Sequence, residues 1–154
     1  KGYSKEEVMR SIHAKGRDNA RTPMQWDSTE NAGFTTGTPW INVNDNYKEI
    51  NAKSQVDDPD SIFSCYKKLI ELRKEYPVFV DGIYNLLLED DENIFAYERE
   101  TPEQKLLVVC NFFDKTIDMP LKDNCKDMDI LISNYKEINE PSVLRPYEAR
   151  IYIK

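Results

Sequence analysis

Two arginines set four residues apart, Arg17 and Arg21, stand in a run unlike the rest of the chain: Lys15-Gly16-Arg17-Asp18-Asn19-Ala20-Arg21-Thr22-Pro23-Met24-Gln25-Trp26. A guanidinium holds several donors in one fixed plane, so it can orient a carboxylate and neutral oxygens together. Asp18, Asp27 and Glu30 are the acids of the same stretch. No helical or strand period runs through it, and Gly16 and Pro23 punctuate it, so it reads as a loop. Irregular sequence continues almost to Asp58, a length uncommon unless the segment is functional or disordered. Trp26, Phe34, Trp40, Ile41, Val43, Tyr47 and Ile50 argue against disorder, because disordered linkers seldom carry so many buriable side chains. The expectation is a loop packed on, or lining, something larger.

The elements that would position this loop are legible on both sides. Ser4-Lys5-Glu6-Glu7 has the form of a capping box, Val8, Met9 and Ile12 then share one helical face, and Gly16 supplies the stop. His13 lies on this helix with no nucleophile near it in sequence, so it is read as a surface helix residue rather than a catalyst. A second helix is expected over about 59–76, with Asp58 as N-cap, Pro59 in the first turn and Pro77 as terminator. Its apolar face, with Ile62, Phe63, Tyr66, Leu69, Ile70 and Leu72, is broad enough to need a partner surface.

After Pro77 the period changes to that of strands, expected at 83–88, 94–99, 106–113, 116–120, 129–132 and 148–153 and separated by turn residues. In the last, Ala149, Ile151 and Ile153 alternate with Arg150 and Tyr152, which predicts one wet face. Strands at this spacing indicate an antiparallel sandwich. The shift at Pro77 sets the expected domain boundary, with residues 1–77 in one part and 78–154 in the other.

Composition excludes some partners. With 154 residues and 40% hydrophobic side chains the chain can build a core. A net charge of -7 argues against nucleic acid, whose phosphates demand a basic stripe. No apolar run approaches a membrane span, and no signal-peptide pattern opens the chain. Cys65, Cys110 and Cys125 are odd in number and widely spaced, so neither a zinc site nor a disulfide framework is expected. Cys65 and Cys110 sit in apolar patterns and are expected to pack as small hydrophobes, and free thiols point to a reducing, cytoplasmic compartment.

The run 15–26, with Asn31-Ala32-Gly33-Phe34-Thr35 and Pro39-Trp40-Ile41, strongly resembles the oligo-1,6-glucosidase and α-glucosidase branch of the α-amylase family, glycoside hydrolase family 13. Trehalose-6-phosphate hydrolases of that family look much the same. The likeness continues through 44–51, Asp60-Ser61-Ile62-Phe63, 66–74 and Leu144-Arg145-Pro146-Tyr147-Glu148-Ala149, so it covers essentially the whole chain. It implies a fold class: the last loop and helices of a (β/α)8 barrel, followed by an antiparallel β-sandwich. A complete barrel takes about 250 residues, so residues 1–77 cannot be one.

The resemblance also implies a function, that of an intracellular retaining exo-α-glucosidase acting on short α-glucoside oligosaccharides. Retaining enzymes need two carboxyl groups about 5 Å apart. The family's acid motifs are absent here, so Asp18, Asp27 and Glu30 are read as loop acids and the chain alone as inactive. Arg17 matches the family arginine that, paired with a barrel aspartate, holds the terminal glucose, with Asp18 and Asn19 as possible positioners. Arg21 is the weaker substrate-binding candidate, and for it a structural ion pair is the favoured role. Trp26, Phe34, Trp40 and Tyr47 are expected to plug the loop onto the barrel rather than stack on sugars. No metal or cofactor is expected, and the expected partners are the substrate and the missing barrel. The alternative is a non-catalytic sandwich module gripping carbohydrate or protein. Both tryptophans precede the sandwich, and its strand faces carry no convergent polar cluster, which favours the enzyme reading.

Overall fold

A computed structural model describes residues 2–154, except for the side chain of Asn19. The chain divides into two compact units, residues 1–67 and 68–154.

The first unit begins with helix α1 (Lys5–Lys15). Its capping box forms as the sequence predicts: Glu7 N donates to Ser4 Oγ and Ser4 N to Glu7 Oε2. Gly16 closes the helix with ordinary φ -65°, donating to Ile12 O at 2.7 Å. Glycine is required by proximity, since a Cβ here would lie 2.5 Å from the Ile12 carbonyl oxygen. Short 3₁₀ turns follow at Asp18–Ala20, Glu30–Gly33 and Asp45–Lys48, then helix α2 (Ala52–Val56), which no sequence period announces. Asn51 caps α2 by accepting from Ser54 N at 3.0 Å.

Helix α3 (Ile62–Glu75) starts later than the sequence predicts. Asp58 spends its carboxylate on Asp60 N in a preceding turn, and Ser61 Oγ instead accepts from Ser64 N at 3.1 Å. Only Leu72 of α3 is buried; Ile62 is 77% and Tyr66 66% exposed. Cys65, expected to pack, is exposed for the same reason: among the described residues nothing covers that helix surface. Among the described residues of the first unit, only Pro23, Ala32, Asn51 and Ser61 are buried.

The second unit is built on a five-stranded antiparallel sheet in the order β1-β2-β3-β7-β5: β1 (Ile83–Leu87), β2 (Ile94–Glu100), β3 (Lys105–Asn111), β5 (Asp129–Ser133) and β7 (Ala149–Ile153). Strands β4 (Ile117–Asp118) and β6 (Val143–Leu144) pair as a two-stranded ribbon. The two-residue β6 has no sequence signal. Central strand β3 is apolar on both faces, and each face has a core. Ile94, Ala96, Leu107, Val109 and Tyr152 pack with Met119, Leu121 and Leu144 from the ribbon side. On the opposite face Leu106, Val108 and Ile153 pack under Val78 of helix α4 (Val78–Asp81), with Tyr76, Phe79, Tyr97 and Cys110 at the margin. Burial pushes the Cys110 thiol pKa up.

The expected wet face of β7 is wrong. Arg150 and Tyr152 point into the ribbon-side core, at 1% and 3% exposure. The ribbon covers that face, and the charge is neutralised inside: Arg150 Nε donates to Glu148 at 2.8 Å, while its Nη1 and Nη2 donate to the carbonyls of Pro141 and Val143 at 3.0 and 2.5 Å.

Candidate functional site

Arg17 and Arg21 flank the 3₁₀ turn Asp18–Ala20, which is closed by Ala20 N on Arg17 O (3.0 Å) and Arg21 N on Asp18 O (2.9 Å). Both arginines are exposed. Among the described residues no hydrogen bond, ion pair or ring contact engages either guanidinium. Any help Asn19 gives Arg17 lies outside the described residues.

The loop after Arg21 is irregular yet tightly bonded to itself. Ala52 N donates to Gln25 O (2.8 Å), Lys53 N to Trp26 O (2.9 Å), and Gln25 Nε2 to Ile50 O, which clamps the loop's two ends together. Between them Asn31, Ala32 and Gly33 take φ of 53°, 57° and 63°, three left-handed residues in succession. Each non-glycine residue there costs about 1–2 kcal/mol. The loop offsets this locally: Trp26 N and Asp27 N both donate to Ala32 O, and Asn31 Nδ2 reaches the carbonyls of Thr35 and Gly37. Ala32 is fully buried beneath them.

The loop acids behave as structural groups. Asp27 accepts from Thr29 Oγ1 at 2.5 Å and Thr29 N at 2.8 Å, and these bonds hold its pKa below the ordinary carboxylate value. Asp18 and Glu30 are exposed. Among the described residues no group of three or more His, Cys, Asp or Glu side chains could hold a metal ion. His13 is exposed in the last turn of α1. Of the loop aromatics, Trp40 is 87% exposed, Trp26 and Phe34 about half. The surface they would plug onto is not in this unit.

A polar cluster that sequence reasoning missed lies in the sandwich. Glu148, fully buried, accepts from Arg145 N (2.8 Å), Arg145 Nε and Nη2 (3.0 Å each) and Arg150 Nε (2.8 Å). Arg145 lies 3.9 Å above the Tyr135 ring, and Tyr135 Oη donates to Pro146 O. Burial opposes ionisation of Glu148, but the bonds from the two arginines prevail and bring its pKa down to about 2. Among the described residues no buried polar side-chain atom lacks a partner, and Glu148 and Arg150 are shut off from water at 0% and 1% exposure, so the core of the cluster holds the fold together. The spacing Arg145-x-x-Glu148-x-Arg150 was the available signal.

Two family models match successive parts of the chain. Residues 1–82 match the family described as "Alpha amylase, catalytic domain" and residues 94–151 the "Alpha-amylase SusG C-terminal domain". An oligo-1,6-glucosidase of Halalkalibacterium halodurans is 55% identical over 158 residues, covering 99% of this chain and 28% of the relative. A trehalose-6-phosphate hydrolase of Bacillus subtilis is 44% identical with the same coverage. The crystal structure of Bacillus licheniformis trehalose-6-phosphate hydrolase superposes with a TM-score of 0.87 at 47% identity, over 99% of this chain and 29% of that one. The chain thus spans little more than a quarter of its relatives, and the expected fold class, a catalytic-domain segment followed by an antiparallel sandwich, holds. By the match over residues 1–82 and its identity to these enzymes, the chain belongs to the α-amylase family of glycoside hydrolases.

Proposed function

We propose that this chain is the C-terminal portion of a retaining exo-α-glucosidase of the oligo-1,6-glucosidase type, with barrel sequence in residues 1–77 and the accessory sandwich in 78–154. The observation that carries the reading is the 55% identity to an oligo-1,6-glucosidase across 99% of the chain. In the intact enzyme the catalytic acids come from barrel strands outside this chain, and the chain alone is inactive. Three free cysteines support a reducing, cytoplasmic setting.

Arg17 is the residue we assign to substrate. Its guanidinium is exposed and uncommitted, on a short turn delivered by α1, so its donors are available to a barrel carboxylate and to hydroxyls of a terminal glucose. An arginine–carboxylate pair at the far end of a pocket closes it and favours cleavage from the chain end. Arg21 is the second candidate on the same turn.

The test is steady-state kinetics on a protein in which the catalytic portion of the Halalkalibacterium halodurans relative precedes this chain. Arg17→Ala is expected to lower kcat/KM on isomaltose by roughly 10- to 100-fold, the loss of one or two charged hydrogen bonds, with the fold intact by circular dichroism. A value within about twofold of wild type would refute the subsite role.

A further inference from the structure

A guanidinium serves a substrate only where the backbone beneath it is held, and the segment that carries Arg17 is held at two ends. On one side Gly16 N donates to Ile12 O at the close of α1. On the other side the first firm attachment is Gln25. Its carbonyl accepts from Ala52 N at 2.8 Å, and its side-chain Nε2 donates to Ile50 O. The two bonds fall on either side of Asn51, so Gln25 grips the chain at two points and fixes a direction as well as a distance. Trp26 O extends the grip by accepting from Lys53 N at 2.9 Å. Ala52 and Lys53 open helix α2, whose first amides have no partner within the helix.

The gripped point is well anchored. Asn51 is buried at 6% exposure, its Nδ2 donates to Tyr47 O (2.9 Å), and its Oδ1 accepts from Ser54 N (3.0 Å). Pro23, two residues before Gln25, is also buried, and its ring fixes its φ. Between Gly16 and Gln25, by contrast, the bonds among the described residues are the two that close the 3₁₀ turn, Ala20 N to Arg17 O and Arg21 N to Asp18 O. Neither ties the turn to another element. Residues 17–24 are therefore suspended from α1 at one end and from Gln25 at the other.

We propose that Gln25 is a positioning residue for Arg17: by closing the loop on Ile50, its side-chain amide holds the arginine-bearing segment in the place from which the guanidinium meets the terminal glucose. Gln25 itself touches no substrate. Without the amide donor the bond from Ala52 N remains as a single pivot, and the suspended segment can swing about it. A misplacement of about 1 Å at a substrate-holding group costs up to about 100-fold in rate. One neutral hydrogen bond contributes little to stability by comparison. Kinetics and stability therefore separate at this position.

The inference rests on the assignment of Arg17 to substrate, and the experiment separates the two. In the fusion of the relative's catalytic portion to this chain, Gln25→Met keeps the length of the side chain and removes its donor. It is expected to lower kcat/KM on isomaltose roughly 5- to 20-fold, through whichever of kcat and KM Arg17→Ala changes, while the melting midpoint falls by no more than about 2 °C. In the Arg17→Ala background the same substitution is expected to cost less than about twofold, because groups that act through one another are not additive. Gln25→Asn, whose amide stops one methylene short, is expected to fall between wild type and Gln25→Met with the same non-additivity, and it decides the matter should Gln25→Met not fold. Gln25 variants within about twofold of wild type, beside an impaired Arg17→Ala, overturn the positioning role and spare Arg17. A full repeat of the Gln25 loss in the Arg17→Ala background overturns it too, since the bond would then be merely structural. An inactive wild-type fusion, or an Arg17→Ala variant at the wild-type rate, overturns the substrate assignment and this inference with it.

Discussion

The two units of this chain solve the same problem to different degrees. The sandwich buries both faces of its central strand and neutralises its interior charge with Glu148, Arg145 and Arg150. Among its described residues the first unit buries four, leaves Trp40, Ile62 and Tyr66 largely in water, and holds its shape through side-chain-to-backbone bonds from Asn31, Asn51 and Gln25. Apolar burial drives folding at about 25 cal/mol per Å², while a hydrogen bond nets only about 1 kcal/mol. A segment rich in local bonds and poor in burial is shaped without being stable. The comparison teaches that the sandwich carries its own core on both sheet faces, whereas the described residues of the first unit do not build one.

Substitutions can break this contrast. The largest effect is expected at Glu148: Glu148→Ala leaves Arg150 charged and unpaired in the core, and should cost the sandwich about 3–5 kcal/mol in urea denaturation. Leu107→Ala, in the middle of the ribbon-side core, should cost about 2–5 kcal/mol. Acid sharpens the same point. Glu148 has its pKa lowered from 4.5 to about 2, so the stability it adds is complete above about pH 4.5 and is lost as pH falls towards 2, an effect of about 3 kcal/mol. The urea midpoint of the sandwich should drop across that window, and Glu148→Gln should flatten the drop. In the first unit, Gly33→Ala puts a Cβ 2.8 Å from Asp27 Oδ1 at a φ of 63°. It should loosen the loop by about 1–2 kcal/mol, read as faster proteolysis between residues 27 and 37. Smallest of all, Trp40→Ala should change the stability of the 154-residue chain by less than about 0.5 kcal/mol, since the ring touches water and little else.

What the sequence disclosed follows the same division. The capping box Ser4–Glu7 and the aliphatic and aromatic runs of β1 to β3 are local signals in local residues, and the helix start and the three strands lie where those signals stand. Arg150 differs from its expectation because charge on a strand ordinarily signals water, whereas here its partner Glu148 stands two residues away in the same chain. The start of α3 slipped because Asp58 and Ser61 are both good caps, and the turn at Asp60 decides between them. Asn31 and Gly33 announce a left-handed turn, but Ala32 does not, because its φ is fixed by three hydrogen-bonded neighbours and by burial. Arg17 stood out by its surroundings in sequence. Among the described residues nothing engages its guanidinium, so the groups proposed to complete its site are not legible here.

Hydrogen exchange, run on the 154-residue chain and on its fusion to the relative's catalytic portion, meets the main claim head-on. Alone, amides of residues 83–153 in the sheet should exchange slowly and those of residues 17–50 within seconds to minutes; in the fusion the 17–50 stretch should become slow as well. Uniformly slow exchange across residues 17–50 in the 154-residue chain alone would mean that the loop needs no partner, and the account would be wrong.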